Sequence, residues 1–236
     1  MEQHRIDIKR LAAGVFAFAL LLSVGTTTVG AETVGERLKE SAAVLKEIMD
    51  APDQGIPADL FDKAYCVVVV PGVKNVGLGL GGKYGRGFAI CRSDPHAAWG
   101  APAAVRMEGG SVGFQIGVSA TDVIMLVMDQ RSMDGILASK FTLGAGAEVA
   151  AGPVGRNTTA ETDASMKAKI LSYSRSRGAF AGLALSGATL RQDLDENKAM
   201  YGKPLTNTEV LTTKVKAPVE AEDLLALLSK YSRGAA

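Results

Sequence analysis

The sequence contains few of the residues that metal centres and hydrolytic enzymes use. Its 236 residues include two histidines and two cysteines, and the cysteines are not close enough for a C-x-x-C pair. His96 is the one histidine beyond the N-terminal segment, and no G-x-S-x-G motif supplies a serine nucleophile. We therefore expect no metal, no cofactor and no Ser-His-Asp triad.

Net charge is also small, at 26 basic against 25 acidic residues. Residues 1–31 hold three basic and two acidic residues, so the remaining chain carries 23 of each. Nonspecific nucleic-acid binding needs a clear basic excess. Nucleic acid is accordingly not an expected partner.

The N-terminal segment has the layout of a secretory signal peptide. Arg5, Lys9 and Arg10 precede an uncharged apolar run from Leu11 to Val24, and small residues follow as far as Ala31. The alternative is an uncleaved anchor, but a run of about 14 residues is short for a membrane span. We expect cleavage after Ala31, a single domain over residues 32–236, and a periplasmic or secreted location.

A glycine-rich stretch, GLGLGGKYGRGFAICR at 77–92, nearly matches two nucleotide-binding motifs. The spacing of Gly77, Gly79 and Gly82 fits a dinucleotide fingerprint, and Gly82-Lys83 fits a P-loop until Tyr84 replaces its Ser or Thr. Both motifs require a helix to begin at the glycines. Here glycine alternates with apolar residues, a period typical of a strand, so no nucleotide is expected.

An amphipathic helix is predicted from Thr33 to Asp50, with an apolar stripe that includes Leu38, Leu45 and Ile48. Such a stripe usually packs on the protein's own core. Insertion into a membrane surface is the alternative. Further helices are predicted at 130–139, 190–200, 206–211 and 221–231.

Between the helices, the chain reads as short strands separated by glycine turns. Strands are predicted at 65–70, 76–82, 85–91, 103–108, 111–119, 121–129, 141–151, 167–174 and 179–189, with Gly109-Gly110 as a hairpin turn. Strands and helices do not alternate as in a parallel fold. The predicted class is α+β: a mostly antiparallel sheet, partial barrel or sandwich, flanked by N- and C-terminal helices.

Cys66 and Cys91 are candidates for a disulfide, because exported proteins with an even cysteine count commonly form one. In a simple meander of the first three strands, the two cysteines would lie on its outer strands, roughly 9 to 10 Å apart. A disulfide needs Cα atoms within about 7 Å. It therefore requires another strand order or a bend at the glycines, and two buried thiols are the alternative.

Charged residues recur at the predicted strand ends. Asp122 and Asp129 flank an apolar run, but nothing in their spacing requires an acid–base pair. Lys74, Lys83 and Arg86 are the basic candidates: if they converge, they are suited to hold a lipid phosphate.

Taken in order, several motifs resemble the SYLF domain, a lipid-binding family that includes yeast actin-binding proteins. The resemblance extends from about Thr33 to Ser229. It is carried by the valine-rich strand ending at Pro71, GKYGRG at 82–87, Trp99 with Pro102, GSVGFQIG at 110–117, GPVGR at 152–156, Tyr173 with GAFAG at 178–182, and Tyr201-Gly202.

This resemblance implies a non-enzymatic protein that binds phospholipid at a membrane surface of the bacterial envelope. It makes the first helix the lipid-facing candidate, with Arg37, Lys39 and Lys46 as its basic positions. Phosphoinositide selectivity and actin binding are not expected, because the chain lacks an SH3 or FYVE module and a strongly basic first helix. The alternative is an envelope scaffold that binds protein and contacts lipid weakly.

Overall fold

A computed structural model describes residues 32–51, 55–145, 148–154, 168–176, 179–182, 185 and 187–232, with the backbone alone at 77–80, 111–118, 176 and 179–182. The span Thr33–Ala236 forms one compact unit. The signal peptide predicted at residues 1–31 lies outside the described residues and stays a prediction.

The described residues form seven strands in one curled sheet, which confirms the predicted α+β class. The sheet has the order β3-β7-β2-β5-β4, with β1 also paired to β2 and β6 to β5, and every pair except β4–β5 is antiparallel. The strands are β1 Cys66–Cys91, β2 Ala103–Val127, β3 Lys140–Thr142, β4 Val149–Ala151, β5 Ile170–Ser176, β6 Ala179–Gly182 and β7 Thr189–Gln192.

Helices of the described chain flank the sheet near both ends of the sequence, and one further helix lies between β2 and β3. They are α1 Val34–Asp50, α2 Ala58–Lys63, α3 Gln130–Leu137, α4 Leu194–Tyr201, α5 Asn207–Thr212 and α6 Glu222–Tyr231, the last preceded by a 3-10 turn at Val219–Ala221. Thr33 and Glu36 form a capping box at the start of α1, which fixes its first turn.

Three predicted elements have other boundaries in the structure. Within the described residues, the strand expected over 179–189 ends at Gly182 as β6, and Thr189 begins β7. The helix expected from residue 190 begins at Leu194, because the preceding residues form β7 and Asp193 caps the helix. The single strand expected over 141–151 is divided into β3 and β4, with Gly144 at a φ of 85° in the turn that follows β3.

The largest correction concerns the predicted meander of short strands. Residues 66–91 form one strand, and 103–127 form another that pairs with it along almost its whole length. Pro71-Gly72 is a bulge within β1, and Gly109-Gly110 continues β2 opposite Lys83 and Gly82. The glycines therefore bend and twist two long strands instead of ending short ones.

β1 folds back on itself, and this brings its two ends together. The ladder has a register shift between Leu78 and Gly79, midway between Cys66 and Cys91 in the sequence. The two cysteines form a disulfide with a Cα–Cα distance of 4.1 Å, and Arg92 N donates to Tyr65 O at 2.9 Å. The predicted disulfide is confirmed, and the bend at the glycines makes it possible.

Both faces of the curled sheet are buried. Val67 and Val69 pack towards α1, α2 and α6, whereas Val68 and Val70 belong to a second cluster that includes residues of α3. This two-sided burial explains why the strand is apolar at consecutive positions instead of alternate ones.

Candidate functional site

The apolar stripe of α1 belongs to the protein core. Leu38, Leu45 and Ile48 have no exposed surface, and they pack in the cluster that includes β1 and α6. The exposed side of α1 is charged instead, with Lys46 Nζ 2.7 Å from Asp50 Oδ2. Of the predicted basic positions on this helix, Lys39 and Lys46 are exposed.

Arg37 and Arg86, both predicted to contact lipid, converge on a buried carboxylate. Arg37 Nη1 lies 3.1 Å from Glu196 Oε1, and Arg86 Nη1 lies 2.8 Å from the same oxygen. Arg86 Nε also lies 3.2 Å from Asp193 Oδ2 and donates to the Tyr84 hydroxyl at 3.0 Å. The two arginines therefore join α1 and β1 to α4.

The charges around Arg86 favour its protonated form. Burial alone lowers the pKa of Arg86, but Asp193, the hydrogen bond with Tyr84 and the charge of Glu196 outweigh that effect and raise it. This cluster stabilises the packing of the helices on the sheet.

Two carboxylates considered from the sequence also have structural contacts. Asp122 Oδ1 accepts from Gly72 N at 2.8 Å, and Asp122 Oδ2 lies 2.6 Å from Arg175. Asp129 caps α3 by accepting from Ser132 N at 2.7 Å. The structure does not bring these two into an acid–base pair.

Arg92 is a structural residue that the sequence showed only as a basic strand end. Its guanidinium donates to the carbonyls of Ala64, Phe61 and Asp62 at the end of α2, and it lies 4.3 Å from the Trp99 ring centre. Burial lowers the pKa of Arg92. This side chain therefore fixes the C-terminal end of α2 against the end of β1.

The remaining predicted residues lie on a two-stranded segment, here called the distal ribbon, made of residues 74–83 of β1 and 109–120 of β2. Within the described sheet, β5 pairs with residues 122–127 of β2, and β7 pairs with residues 105–108 of β2. The ribbon part of β2 therefore pairs with β1 alone. The ribbon thus extends beyond the strands that flank β2.

Lys74 and Lys83 lie at the base of the distal ribbon. The two halves of β1 are in contact just before it, where a Cβ at Gly85 would lie 2.8 Å from Val73 Cγ2. Lys74 is exposed and Lys83 half-buried, and neither has a carboxylate partner within the described part of the chain. This contact places Lys74 and Lys83 at the same end of the ribbon, whereas Arg86 contacts Glu196 and Asp193.

Apolar residues form one row of the ribbon's ladder. The register places Val76 opposite Val118, Leu78 opposite Ile116 and Leu80 opposite Val112, and the intervening pairs are formed by glycine and serine, among them Gly77–Gly117, Gly79–Gly113 and Gly81–Ser111. Val76, whose side chain is described, is 54% exposed.

The ribbon therefore combines an apolar row with two basic residues. The sequence showed the alternation, but it gave no signal that Val76 lies outside the core. In the part of the chain that the structure describes, none of the helices has the length and hydrophobicity of a transmembrane span.

Comparison with known proteins gives a consistent family match. The family model described as "Ysc84: Las17-binding protein actin regulator" matches residues 108–231. SH3 domain-containing YSC84-like protein 1 of Rattus norvegicus is 30% identical over 200 residues, which cover 82% of this chain and 58% of the relative.

Two further relatives show the same pattern. SH3 domain-containing YSC84-like protein 1 of Homo sapiens is 29% identical, with 82% of this chain and 58% of the relative covered. Protein YSC84 of Saccharomyces cerevisiae is 30% identical, with 80% and 42% covered. The chain spans about half the length of the curated relatives it matches.

Proposed function

The chain belongs to the Ysc84, or SYLF, family, and from that premise we propose that it is a non-enzymatic protein that binds phospholipid through the distal ribbon. The observation that carries this proposal is the exposure of Val76 in a ladder row of apolar residues, with Lys74 and Lys83 at its base. The apolar row enters the boundary between headgroups and acyl chains, and the lysines contact the lipid phosphates.

The magnitudes indicate reversible binding. A lysine close to an anionic membrane contributes about 1 kcal/mol. Moving one partly exposed valine out of water contributes about another 1 kcal/mol. Binding by this surface alone is therefore weak and depends on both salt and anionic lipid.

The packing of α1 favours the ribbon over the first helix as the lipid-binding element. Exposing its apolar stripe would remove Leu38, Leu45 and Ile48 from the core and separate Arg37 from Glu196. Each buried leucine or isoleucine contributes about 1.5 to 3 kcal/mol to stability, which a weak membrane interaction does not replace.

We further propose that the protein acts in the bacterial cell envelope after export. The disulfide between Cys66 and Cys91 supports this location, because structural disulfides persist in oxidising compartments. The signal peptide predicted at residues 1–31 gives the same assignment.

A second candidate function is an envelope scaffold that binds a protein partner. It is favoured by the description of the matching family, which names binding to a protein and regulation of actin. Protein capture without any vesicle binding would favour this alternative.

Cosedimentation of the mature chain with vesicles tests the lipid proposal. One set of vesicles contains phosphatidylcholine alone, and the other contains phosphatidylcholine mixed with phosphatidylglycerol. We expect pelleting with the anionic set, weakened about thirtyfold by the double change Lys74→Gln/Lys83→Gln, which removes about 2 kcal/mol.

The matched control is the double change Lys39→Gln/Lys46→Gln on the exposed side of α1, which removes the same charge. We expect it to pellet as the unchanged protein does. Failure to pellet with either vesicle set rejects lipid binding, and equal weakening by the two double variants rejects the ribbon as the site.

A further inference from the structure

Four basic residues lie in one row across four neighbouring strands. Arg86 of β1 is opposite Arg106 of β2, Arg106 is opposite Arg191 of β7, and Arg191 is opposite Lys140 of β3. Directly opposite residues of antiparallel strands share a face, and neighbouring strands are about 4.8 Å apart. This basic row therefore spans about 14 Å on one face of the sheet.

Such a row is unfavourable without anions, because like charges directly opposite one another are destabilising. At one end, Arg86 is compensated by Glu196 and Asp193. At the other end, Lys140 is exposed and has no carboxylate partner within the described residues. Positive charge is therefore least compensated towards β3.

The two central arginines keep unused hydrogen-bond donors. Arg106 Nε is 3.7 Å from Asp193 Oδ2, and Arg191 Nε is 3.1 Å from Glu108 Oε2. Despite these nearby carboxylates, both Nε atoms are buried and neither makes a hydrogen bond to a described residue. Buried donors normally have an acceptor, so these two atoms are suited to donate to the oxygen atoms of an anionic ligand.

A cleft of about 390 Å³ opens beside this part of the row. Arg106, Arg191 and Lys140 line it together with Ser139, Gln192 and the first residues of α4. Asp193 and Asp195 also line the cleft, but Asp193 is already engaged by Arg86 and as the cap of α4.

We propose that this cleft binds a phosphate-bearing anion through Arg106, Arg191 and Lys140. Guanidinium groups match the oxygens of phosphate with two parallel hydrogen bonds, and lysine supplies a point charge. Ser139 and Gln192 are placed to bind the rest of the ligand. The site is separate from the distal ribbon, so it goes beyond the function proposed above.

The phosphate belongs either to a soluble ester or to a lipid headgroup, and two kinds of probe distinguish these sources. Inorganic pyrophosphate and glycerol 3-phosphate are titrated calorimetrically into the mature chain at low salt. Vesicles of phosphatidylcholine with phosphatidic acid present the same group on a membrane.

We expect saturable binding that Arg191→Gln weakens about tenfold, because it removes a charge-assisted contact. Lys140→Gln, at an exposed position, should keep the fold and weaken binding about threefold. Lys39→Gln, outside the row and the cleft, is the matched control and should leave affinity unchanged. Circular dichroism verifies that each variant is folded.

If the soluble probes bind, and Arg191→Gln weakens that binding more than Lys140→Gln does, the result supports a free phosphate ligand. Binding confined to phosphatidic acid vesicles, and weakened by Lys140→Gln but not by Lys39→Gln, supports a lipid headgroup. The proposal is overturned if neither probe binds, or if Lys39→Gln weakens binding as much as Lys140→Gln. Ribbon changes such as Lys74→Gln should not alter the pyrophosphate titration, so the two proposals fail separately.

Discussion

Reducing the disulfide between Cys66 and Cys91 should destabilise the protein mainly through its unfolded state. The bond closes a loop with a sequence separation of 25. The chain-entropy relation gives about 3.5 kcal/mol at 25 °C for a loop of that length. In the folded state the ends of β1 are also held by the hydrogen bond from Arg92 N to Tyr65 O and by the ladder with β2.

Urea denaturation of the oxidised and reduced forms measures this effect. Both sulfur atoms belong to buried residues, so the bond is reduced under unfolding conditions and the protein is then refolded. We expect the reduced form to lose about 3.5 kcal/mol and to show a larger m-value, since its unfolded chain exposes more surface. The double variant Cys66→Ala/Cys91→Ala should behave similarly. A loss below about 1 kcal/mol with an unchanged m-value would refute the loop-closure reasoning.

Three more predictions concern stability. Gly87→Ala should cost about 3 kcal/mol or more in urea denaturation, because its Cβ would lie 2.0 Å from a backbone carbonyl in the other half of β1. Gly110→Ala, which meets nothing within 4 Å, is its control, and equal losses would contradict the close approach. Glu196→Gln should lower the free energy of unfolding by about 3 kcal/mol, since it leaves Arg37 and Arg86 without their shared carboxylate. A loss under about 0.5 kcal/mol, the level of an ordinary surface change, argues against a structural role of Glu196. Burial and the hydrogen bond to Asp50 raise the pKa of Tyr231 to about 12 from its ordinary value of 10.0. The stabilisation that protonated Tyr231 provides is therefore complete below pH 10 and is lost as pH rises towards 12. Tyr231→Phe should reduce the fall of the urea midpoint between pH 10 and pH 12. An unchanged fall would show that Tyr231 does not cause it.

Local patterns were enough to predict the elements whose structure depends on neighbouring residues. The first helix was predicted from its apolar stripe, and the last was predicted at 221–231, close to its observed bounds Glu222–Tyr231. The valine run was correctly read as a buried strand, because only a strand covered on both faces is apolar at consecutive positions.

The glycine pairs could not be interpreted locally. Gly109-Gly110 has the composition of a hairpin turn, but in the fold it continues a strand opposite Gly82 and Lys83. The preference of glycine for turns was overridden by pairing between two long strands that are distant in sequence. The same long-range pairing produces the bend that joins Cys66 to Cys91.

Basic residues of the candidate site were predicted by type but not by environment. Arg37 lies on a helix whose charged residues were expected to face outward, yet it contacts Glu196 near the other end of the chain. The row of Arg86, Arg106, Arg191 and Lys140 has no characteristic spacing, since it depends on the register of four strands.

Insertion of the distal ribbon into a membrane is the central claim, and a tryptophan at its exposed apolar position measures it directly. Val76→Trp is mixed with phosphatidylcholine–phosphatidylglycerol vesicles whose acyl chains carry bromine, which quenches nearby indole fluorescence. Trp99 is the single natural tryptophan and is 9% exposed, so the unchanged protein provides the background. We predict strong quenching of the new tryptophan and little change in the background. Vesicle binding without quenching at position 76 would contradict the claim.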